Sequence, residues 1–590
     1  MPRAGPWSPP ASPATARPSA IAKTDQPMLL EMAKAAPPAE RIRLLAAALL
    51  PGFADAALIA IIQAGIHVGP ANSELLFLAF CVALLGQVAA VRLCARSFAG
   101  LVESALCQTR IRIAEKIRRA ELSHVEKIGA GEIYTRLTQA TNTISINLWS
   151  VCIMAQSAVI VFCISLYIAY LSLWAVLPIL VFYGGGGALF LIRRRQVRQT
   201  MRESTADQVE LFSYLSELLQ GAKEVRLNSR RGDALLDDLR RTADALGEAP
   251  RRINHILQQN FLTARLALFA LMASVVFVLP FLLGASASTE FLSALLSSAI
   301  FMFAPLAAFL RAVPEYERAS LAAESLQALE ARLEPAAPAP ALSPGMQTPQ
   351  PPAQLCPPER IVLSDLSFAY KDPAGGTGFA IGPVSLEILR GEIIFFVGGN
   401  GSGKTTLLKT LAGLYVPSSG SISVDGVPLS DLNRQAFREN IAAIFTDFHL
   451  FKKLYGLAHS SPLQVSALLQ QLQIAHKTAY GDNGFSRTDL STGQRKRIAM
   501  VVALLEDRPL YIFDEWAADQ DPEFRHYYYE HLLPDLKRRG KTVLAISHDD
   551  RYFHCADRVV TLDYGTVRSI QKFSPPGGTN PAVAGPELAP

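Results

Sequence analysis

Residues 392–414 read EIIFFVGGNGSGKTTLLKTLAGL. The β-branched and aromatic run Ile393 to Val397 leads into a glycine-rich turn and then into leucines at helical spacing. The stretch therefore predicts a strand, a loop and a helix in succession. In that setting Gly398-Gly399-Asn400-Gly401-Ser402-Gly403-Lys404-Thr405, with Thr406 following, fits the phosphate-loop pattern G-x-x-x-x-G-K-[ST]. Glycines let consecutive backbone N–H groups wrap a phosphate at a helix N-terminus. Lys404 then neutralises the β and γ oxygens and the Thr405 hydroxyl is placed to ligate Mg²⁺.

Two downstream segments extend this reading. Leu510-Tyr511-Ile512-Phe513-Asp514-Glu515 is an apolar strand ending in two carboxylates. That pair suits a nucleotide hydrolase, with Asp514 holding the Mg²⁺ shell and Glu515 orienting and deprotonating water. Between the two motifs, Leu490-Ser491-Thr492-Gly493-Gln494 runs into RKRIAMVVALL, a Ser/Gly segment at a helix start and so another anion site.

Upstream the chain changes character. Its 590 residues exceed one core, suggesting three or four units at roughly 100 to 200 residues each. Hydrophobic residues make up 50% and charged residues 18%, which excludes a disordered or coiled-coil chain for the bulk. Apolar runs at about Leu44–Ile66, Leu75–Ala95, Leu148–Tyr170, Leu173–Ile192, Phe261–Leu283 and Phe291–Val313 each approach the ~20 residues that a membrane-crossing helix needs. The connections HVGPANSE, LSLW and GASASTE carry no Lys or Arg. The other two connections hold Arg110, Arg112, Lys116, Arg118, Arg119, Lys127 and Arg136, and RRRQVR with Lys223, Arg226, Arg230 and Arg231. This asymmetry predicts six spans with the N-terminus and both basic loops cytoplasmic. The small net charge of +5 then reflects membrane-flanking loops. Without an aromatic-interleaved basic patch, nucleic acid is not expected as a partner.

The expected organisation is a disordered tail over 1–40, an α-helical six-span membrane domain over 41–333 and a Pro-rich linker over 334–358. An α/β nucleotide-binding domain over 359–572 and a flexible tail over 573–590 follow. Residues 1–40 contain no apolar core of a signal peptide. Within the membrane runs, YGGGG at 183–187 favours close helix approach and alternatively breaks the helix to shape a substrate cavity. Asp55 lies midway along the first run, either facing a water-filled interior or bonded between helices, and Gln63, Gln87 and Gln156 favour bonding. Arg265 is expected to snorkel. Seven cysteines at 81, 94, 107, 152, 163, 356 and 555 form no CxxC pair, and no His cluster has metal spacing, so no zinc site is indicated.

At LSTGQ the chain resembles the ATP-binding cassette (ABC) transporters, whose signature is LSGGQ. The resemblance covers roughly residues 40 to 570. It implies ATP with Mg²⁺ as cofactors, held by Gly398 to Thr406 with Thr405 and Asp514 on the metal and Glu515 as catalytic base. It implies that Ser491, Thr492, Gly493 and Gln494 act in trans on the ATP of a second copy, so that the working unit is a homodimer in membrane lipid. Tyr370 in LSFAY matches the aromatic that stacks on adenine, Asp521 in AADQD the D-loop aspartate, and His548 in AISHDD the switch histidine. VEKIGAGEIYTRLTQATNTI looks like the segment with the first coupling helix, and LSELLQGAKEVRLN like the second cytoplasmic loop. The family usually carries Gln where IFTDFHLF has Thr446, a shorter Mg²⁺ ligand with Asp447 as a possible substitute. With LSTGQRKR, DEWAADQDPEF and SHDDRYFHCADR, the variant looks most like the cyclic-peptide exporter subfamily, which includes exporters of pyoverdine and ornibactin siderophores, syringomycin and microcins. That implies ATP-driven export of a cyclic or nonribosomal peptide, for instance a siderophore or its precursor, across the bacterial inner membrane. A lipid flippase or multidrug exporter of the same fold is the alternative.

Overall fold

The computed structural model describes residues 38–67, 73–171, 173–283, 289–333, 357–371, 377–457 and 459–573. The expected tails, most of the Pro-rich linker and the outer turns HVGPANSE and GASASTE lie wholly or largely outside these residues. The chain divides into two compact units, one drawn from Met1–Ala120 and Ile128–Glu334, the other from Glu121–Lys127 and Pro335–Pro590.

Among the described residues the first unit is helical, and 6 of its helices are long and apolar enough to cross a membrane. The second to fifth apolar runs are continuous with helix in the segments expected to be polar loops. The helices Ser73–Arg119 and Leu173–Gln220 contain 47 and 48 residues. At about 1.5 Å per residue each extends some 70 Å, more than twice the ~30 Å hydrocarbon layer. The extensions are helical because they are rich in Ala, Leu, Arg, Glu and Gln, and because ion pairs lace them together. Glu317, only 1% exposed, accepts from Arg194 Nε at 2.6 Å and faces Arg198, which also pairs with Glu324. Pro51, Pro178, Pro250, Pro305 and Pro314 sit inside helices. A π turn at Ser274–Val278 immediately precedes Pro280, giving its ring room that a regular turn would deny.

Interior packing joins Ile160, Ile164 and Ile168 to Leu268, Leu271, Val275, Leu295 and Met302. Phe77, Leu78, Leu85 and Phe281 remain exposed on the outside, as lipid-facing side chains must be. Asp55 is bonded: Gln87 Nε2 and Gln156 Nε2 each donate to its carboxylate at 2.5 Å. Gln63 donates to Ser297 Oγ at 2.9 Å, so all three glutamines serve interhelical bonds. Arg265 lies 5.7 Å from the ring of Phe269. Close helix approach occurs at Gly52 and not at 184–187. A Cβ on Gly52 would lie 2.8 Å from Val159 Cβ, whereas one on Gly184, Gly185, Gly186 or Gly187 would meet nothing within 4 Å.

Among the described residues the second unit holds two large sheets and a small hairpin, β7 (Tyr480–Gly481) with β8 (Gly484–Phe485). β1 (Arg360–Lys371), β2 (Thr377–Leu389), β4 (Ser419–Val424) and β5 (Val427–Pro428) form an antiparallel sheet ordered β2-β1-β4-β5. β3 (Ile393–Val397), β6 (Ile441–Ile444), β9 (Leu510–Asp514), β10 (Thr542–Ile546), β11 (Arg558–Asp563) and β12 (Thr566–Lys572) form the other, ordered β12-β11-β3-β10-β9-β6. From β11 to β6 every pairing is parallel. β9 and β10 are buried throughout, which explains their unbroken apolar reading.

Candidate functional site

In a parallel sheet every strand ends on the same side, and ligands bind there. The order β3-β10-β9-β6 therefore places four connections side by side. They are the phosphate loop after β3, His548 after β10, Asp514 and Glu515 at the end of β9, and Thr446 after β6. Residues more than 100 positions apart, such as Thr405 and Asp514, thus meet because strand pairing, not sequence proximity, sets their distance.

The loop is shaped to hold phosphate. Gly398, Gly401 and Gly403 adopt φ of 148, 77 and 93°, angles that favour glycine. A Cβ on Gly398 would lie 2.2 Å from the Leu562 carbonyl, while Gly399 and Gly401 border open space. Ser402 Oγ is buried without a protein partner, an orphan that a phosphate oxygen satisfies. Lys404 is 6% exposed and donates to the carbonyls of Gly398 and Gly399 at 2.9 Å. Burial pulls its pKa below the usual lysine value, and the Glu515 and Asp514 carboxylates oppose that. Asn400 caps the exposed tip of the loop.

Three oxygen-bearing side chains converge beside the loop. Thr405 Oγ1 donates to Asp514 at 3.0 Å, and Thr446 Oγ1 donates to the same carboxylate at 2.9 Å. Asp514 is fully buried. Two hydroxyls and a carboxylate form the hard donor set that Mg²⁺ takes alongside phosphate and water. Thr446 thus stands within the set, but Asp447 does not. Asp447 instead pairs with Lys409 Nζ at 3.0 Å.

Glu515 has φ 49°, a left-handed conformation that costs energy in a non-glycine residue. Its carboxylate lies 3.0 Å from His548 Nε2. The strained turn is held by Lys496, which sequence reading passed over inside RKR. Lys496 is 1% exposed, donates to the Glu515 carbonyl at 2.6 Å and pairs with Asp519 at 2.7 Å. Its signal was its place on the buried helical stripe with Met500, Ala503 and Leu504.

The LSTGQ segment opens the helix Thr492–Glu506. Ser491 and Thr492 are exposed, whereas Gln494 accepts from the Ser491 N–H at 3.4 Å and so serves its own helix start. A Cβ on Gly493 would lie 2.3 Å from the Asp519 carbonyl, and Gln520 Nε2 donates to the Gly493 carbonyl at 3.1 Å. Asp521 caps the helix Pro522–Tyr527 through the Phe524 N–H at 2.8 Å and pairs with Arg497. The Phe524 bond, then Arg497, holds its carboxyl below the usual range.

Tyr370 is half-buried in a three-ring cluster, 5.1 Å from Phe368 and 5.9 Å from Tyr415, with its hydroxyl 3.4 Å from Thr406 Oγ1. The exposed ring beside the loop is Phe379, 44% exposed and 3.3 Å from where a Gly403 Cβ would stand. Phe379 was missed because nothing in FAIGPV marks it.

Glu121–Lys127 joins this unit through its own side chains. Leu122 packs on the core that holds Leu407 and Leu411. Glu126 accepts from Tyr415 Oη at 2.7 Å and from Lys409 Nζ at 3.3 Å. Burial alone would lower the Lys409 pKa, but Asp447 and Glu126 together raise it.

The helical unit contains a cavity of about 280 Å³ between the third to sixth spans. Tyr183, Gly184, Gly186, Gly187, Arg193, Asn260, Thr263 and Met302 are among its lining residues. Arg193 donates to Asn260 and Thr263 at 3.2 Å, and the Tyr183 hydroxyl has no protein partner. The glycine run therefore lines a cavity, while the helix Leu173–Gln220 that carries it runs through 184–187 without the expected break.

Residues 381–518 match the ABC transporter family profile, and residues 45–306 match the ABC transporter transmembrane region. The ATP-binding protein SyrD of Pseudomonas syringae pv. syringae is 34% identical over 90% of this chain and 94% of its own length. An ATP-dependent lipid A-core flippase of Alkalilimnicola ehrlichii is 27% identical over 77% of each. A bacterial Atm1-family ABC exporter solved with ATP bound superposes with a TM-score of 0.70 at 17% identity, over 90% of this chain and 95% of that one. The chain belongs to the ABC transporters, and is a multi-pass, ATP-hydrolysing exporter that moves its substrate across a membrane.

Proposed function

We propose that the protein exports a cyclic or nonribosomal peptide, such as a peptide siderophore or its precursor, across the bacterial inner membrane as a homodimer. The observation that carries this is the 34% identity to SyrD, which runs through both units, together with the LSTGQRKR, DEWAADQDPEF and SHDDRYFHCADR segments. The identity to a lipid A-core flippase is lower and covers less of the chain. The lysine and arginine asymmetry between connections supports a cytoplasmic N-terminus and nucleotide unit.

Mg²⁺, when bound with ATP, neutralises charge on the β and γ phosphates. The chain's own residues do the rest. Lys404 and Ser402 would hold phosphate oxygens, and Thr405, Thr446 and Asp514 would hold the cation. Glu515 takes the proton from the attacking water, and His548 orients Glu515 through their 3.0 Å contact. Ser491 and Thr492, exposed at a helix start, face the phosphate of a second copy. The short helix Ala222–Leu227 buries none of its residues, with Leu227 88% exposed, which also supports a second copy as its cover. Closure around two ATP molecules then favours the outward-facing arrangement, and hydrolysis resets it. The cavity beside Tyr183 and Arg193 would receive an amphipathic substrate, apolar along its walls with a cation at one end.

The test is ATPase stimulation in reconstituted protein. A several-fold rise with nonribosomal peptides, and none with lipid A or cationic drugs, supports the reading. Stimulation by lipid A or drugs alone moves the protein to the flippase or multidrug class.

A further inference from the structure

We propose that Glu530, His554 and Cys555 form a binding site for a borderline-soft divalent cation, Zn²⁺ foremost, on the nucleotide-binding unit. The site is independent of what the protein transports. Cysteine and histidine spacing indicated no zinc site because Glu530 stands 24 positions from His554 and the fold alone brings them together. The carboxylate comes from a π turn, Tyr528–Leu532, and the other two donors from the end of the short 3₁₀ helix Asp550–Cys555. Such π turns rotate a side chain out of helical register and are frequent at functional sites.

The geometry is close to that of a metal site. Glu530 Oε1 lies 3.0 Å from His554 Nε2, and Cys555 Sγ lies 3.4 Å from the same nitrogen. All three donor atoms lie within 4.8 Å of one another. Tetrahedral zinc, with bonds of about 2.0 Å to N and O and 2.3 Å to S, sets N···O at about 3.3 Å and N···S at about 3.6 Å. The side chains need part by only about 0.2–0.3 Å to admit the ion. Imidazole, thiolate and carboxylate together favour zinc, cobalt or copper over Mg²⁺ or Ca²⁺. The His554 and Glu530 side chains are 51% and 33% exposed, so an ion can reach them and water can fill the fourth position. A surface Glu–His pair alone would not need a thiol on the same nitrogen.

The position gives the ion a consequence. Tyr529, beside Glu530, stacks on Tyr552 at 4.4 Å and hydrogen-bonds Ser547 Oγ at 2.7 Å, one residue before His548. A cation joining Glu530 to His554 and Cys555 ties the same two segments a second time. It braces the turn that carries His548 against the helix that follows Asp521, and so slows turnover.

The experiment uses full-length protein in detergent, titrated with Co²⁺ and then Zn²⁺, alongside Cys555→Ser and His554→Ala. In wild type one Co²⁺ per chain produces a near-ultraviolet thiolate-to-metal band that Zn²⁺ displaces. Both variants lose the band and at least about tenfold in affinity, while their basal ATPase stays at the wild-type level. Saturating Zn²⁺ lowers ATPase in wild type and not in Cys555→Ser. A band that survives in both variants places the ion on other cysteines and overturns the site, as does the absence of any band. ATPase equally sensitive to Zn²⁺ in wild type and Cys555→Ser overturns the brace.

Discussion

Lys409 holds two carboxylates at once, Glu126 at 3.3 Å from the connection between the second and third spans and Asp447 at 3.0 Å from the loop after β6. One ammonium thus ties the membrane-helix connection to the loop whose second residue, Thr446, touches Asp514. A change at the metal site has a path of three contacts to Glu126. Lys409→Met or Glu126→Gln is expected to cut transport and substrate-stimulated ATPase about tenfold, a typical coupling magnitude, with ATP affinity nearly unchanged. Parallel transport and nucleotide-binding assays check this. Because the Lys409 pKa is raised, its stabilising charge is complete below the ordinary lysine value of about 10.4 and fades only as pH rises past it. Coupling through this lysine is therefore flat from pH 6 to about 9.

Thr446 and Asp447 separate two roles that one residue usually combines. Thr446→Ala is expected to raise the Mg²⁺ concentration for half-maximal ATPase by about tenfold, as loss of a metal-site partner does. Asp447→Asn leaves the Mg²⁺ requirement in place and lowers substrate stimulation. Mg²⁺ titrations of ATPase in both variants decide it. An Mg²⁺ shift in Asp447→Asn would return that residue to the metal.

Glu515→Gln removes a general base and is expected to lower ATPase by about 10² to 10⁴-fold with ATP still bound. His548→Ala, acting on Glu515 through one contact, falls by a comparable factor. Turnover and equilibrium ATP binding, measured together, separate loss of chemistry from loss of nucleotide.

Phe379, exposed beside Gly403, is expected to stack on the nucleobase. Phe379→Ala should raise the KM for ATP about tenfold, within the range of base–aromatic stacking, with kcat little changed. Tyr370→Phe keeps the three-ring cluster and should leave KM within about twofold. A large KM change in Tyr370→Phe alone would hand the role to Tyr370.

Both layers of the fold were legible because each depends on local rules: apolar length for the spans, and strand-loop-helix punctuation around Lys404. The sheet order leaves no mark in sequence spacing, so Thr405 and Asp514 were joined only by their shared Mg²⁺ chemistry and Thr446 only by resemblance, while the parallel pairing that brings them together came from the fold. The helical extensions were read as loops because polarity was equated with lack of structure, whereas Arg194, Arg198 and Glu317 are polar in order to pair across helices. Gly52, Lys496, Phe379 and the Glu530–His554–Cys555 cluster escaped for one shared reason. Each takes its meaning from a neighbour distant in sequence.

The central claim, ATP-driven peptide export, is tested most directly by metabolite profiling of cytoplasm, periplasm and medium. The strains are a deletion complemented with wild type or with Glu515→Gln. The account predicts that one peptide or siderophore precursor accumulates inside the deletion strain and that only wild type restores its release. Lipids or drugs changing compartment, with every peptide staying where it was, would contradict it.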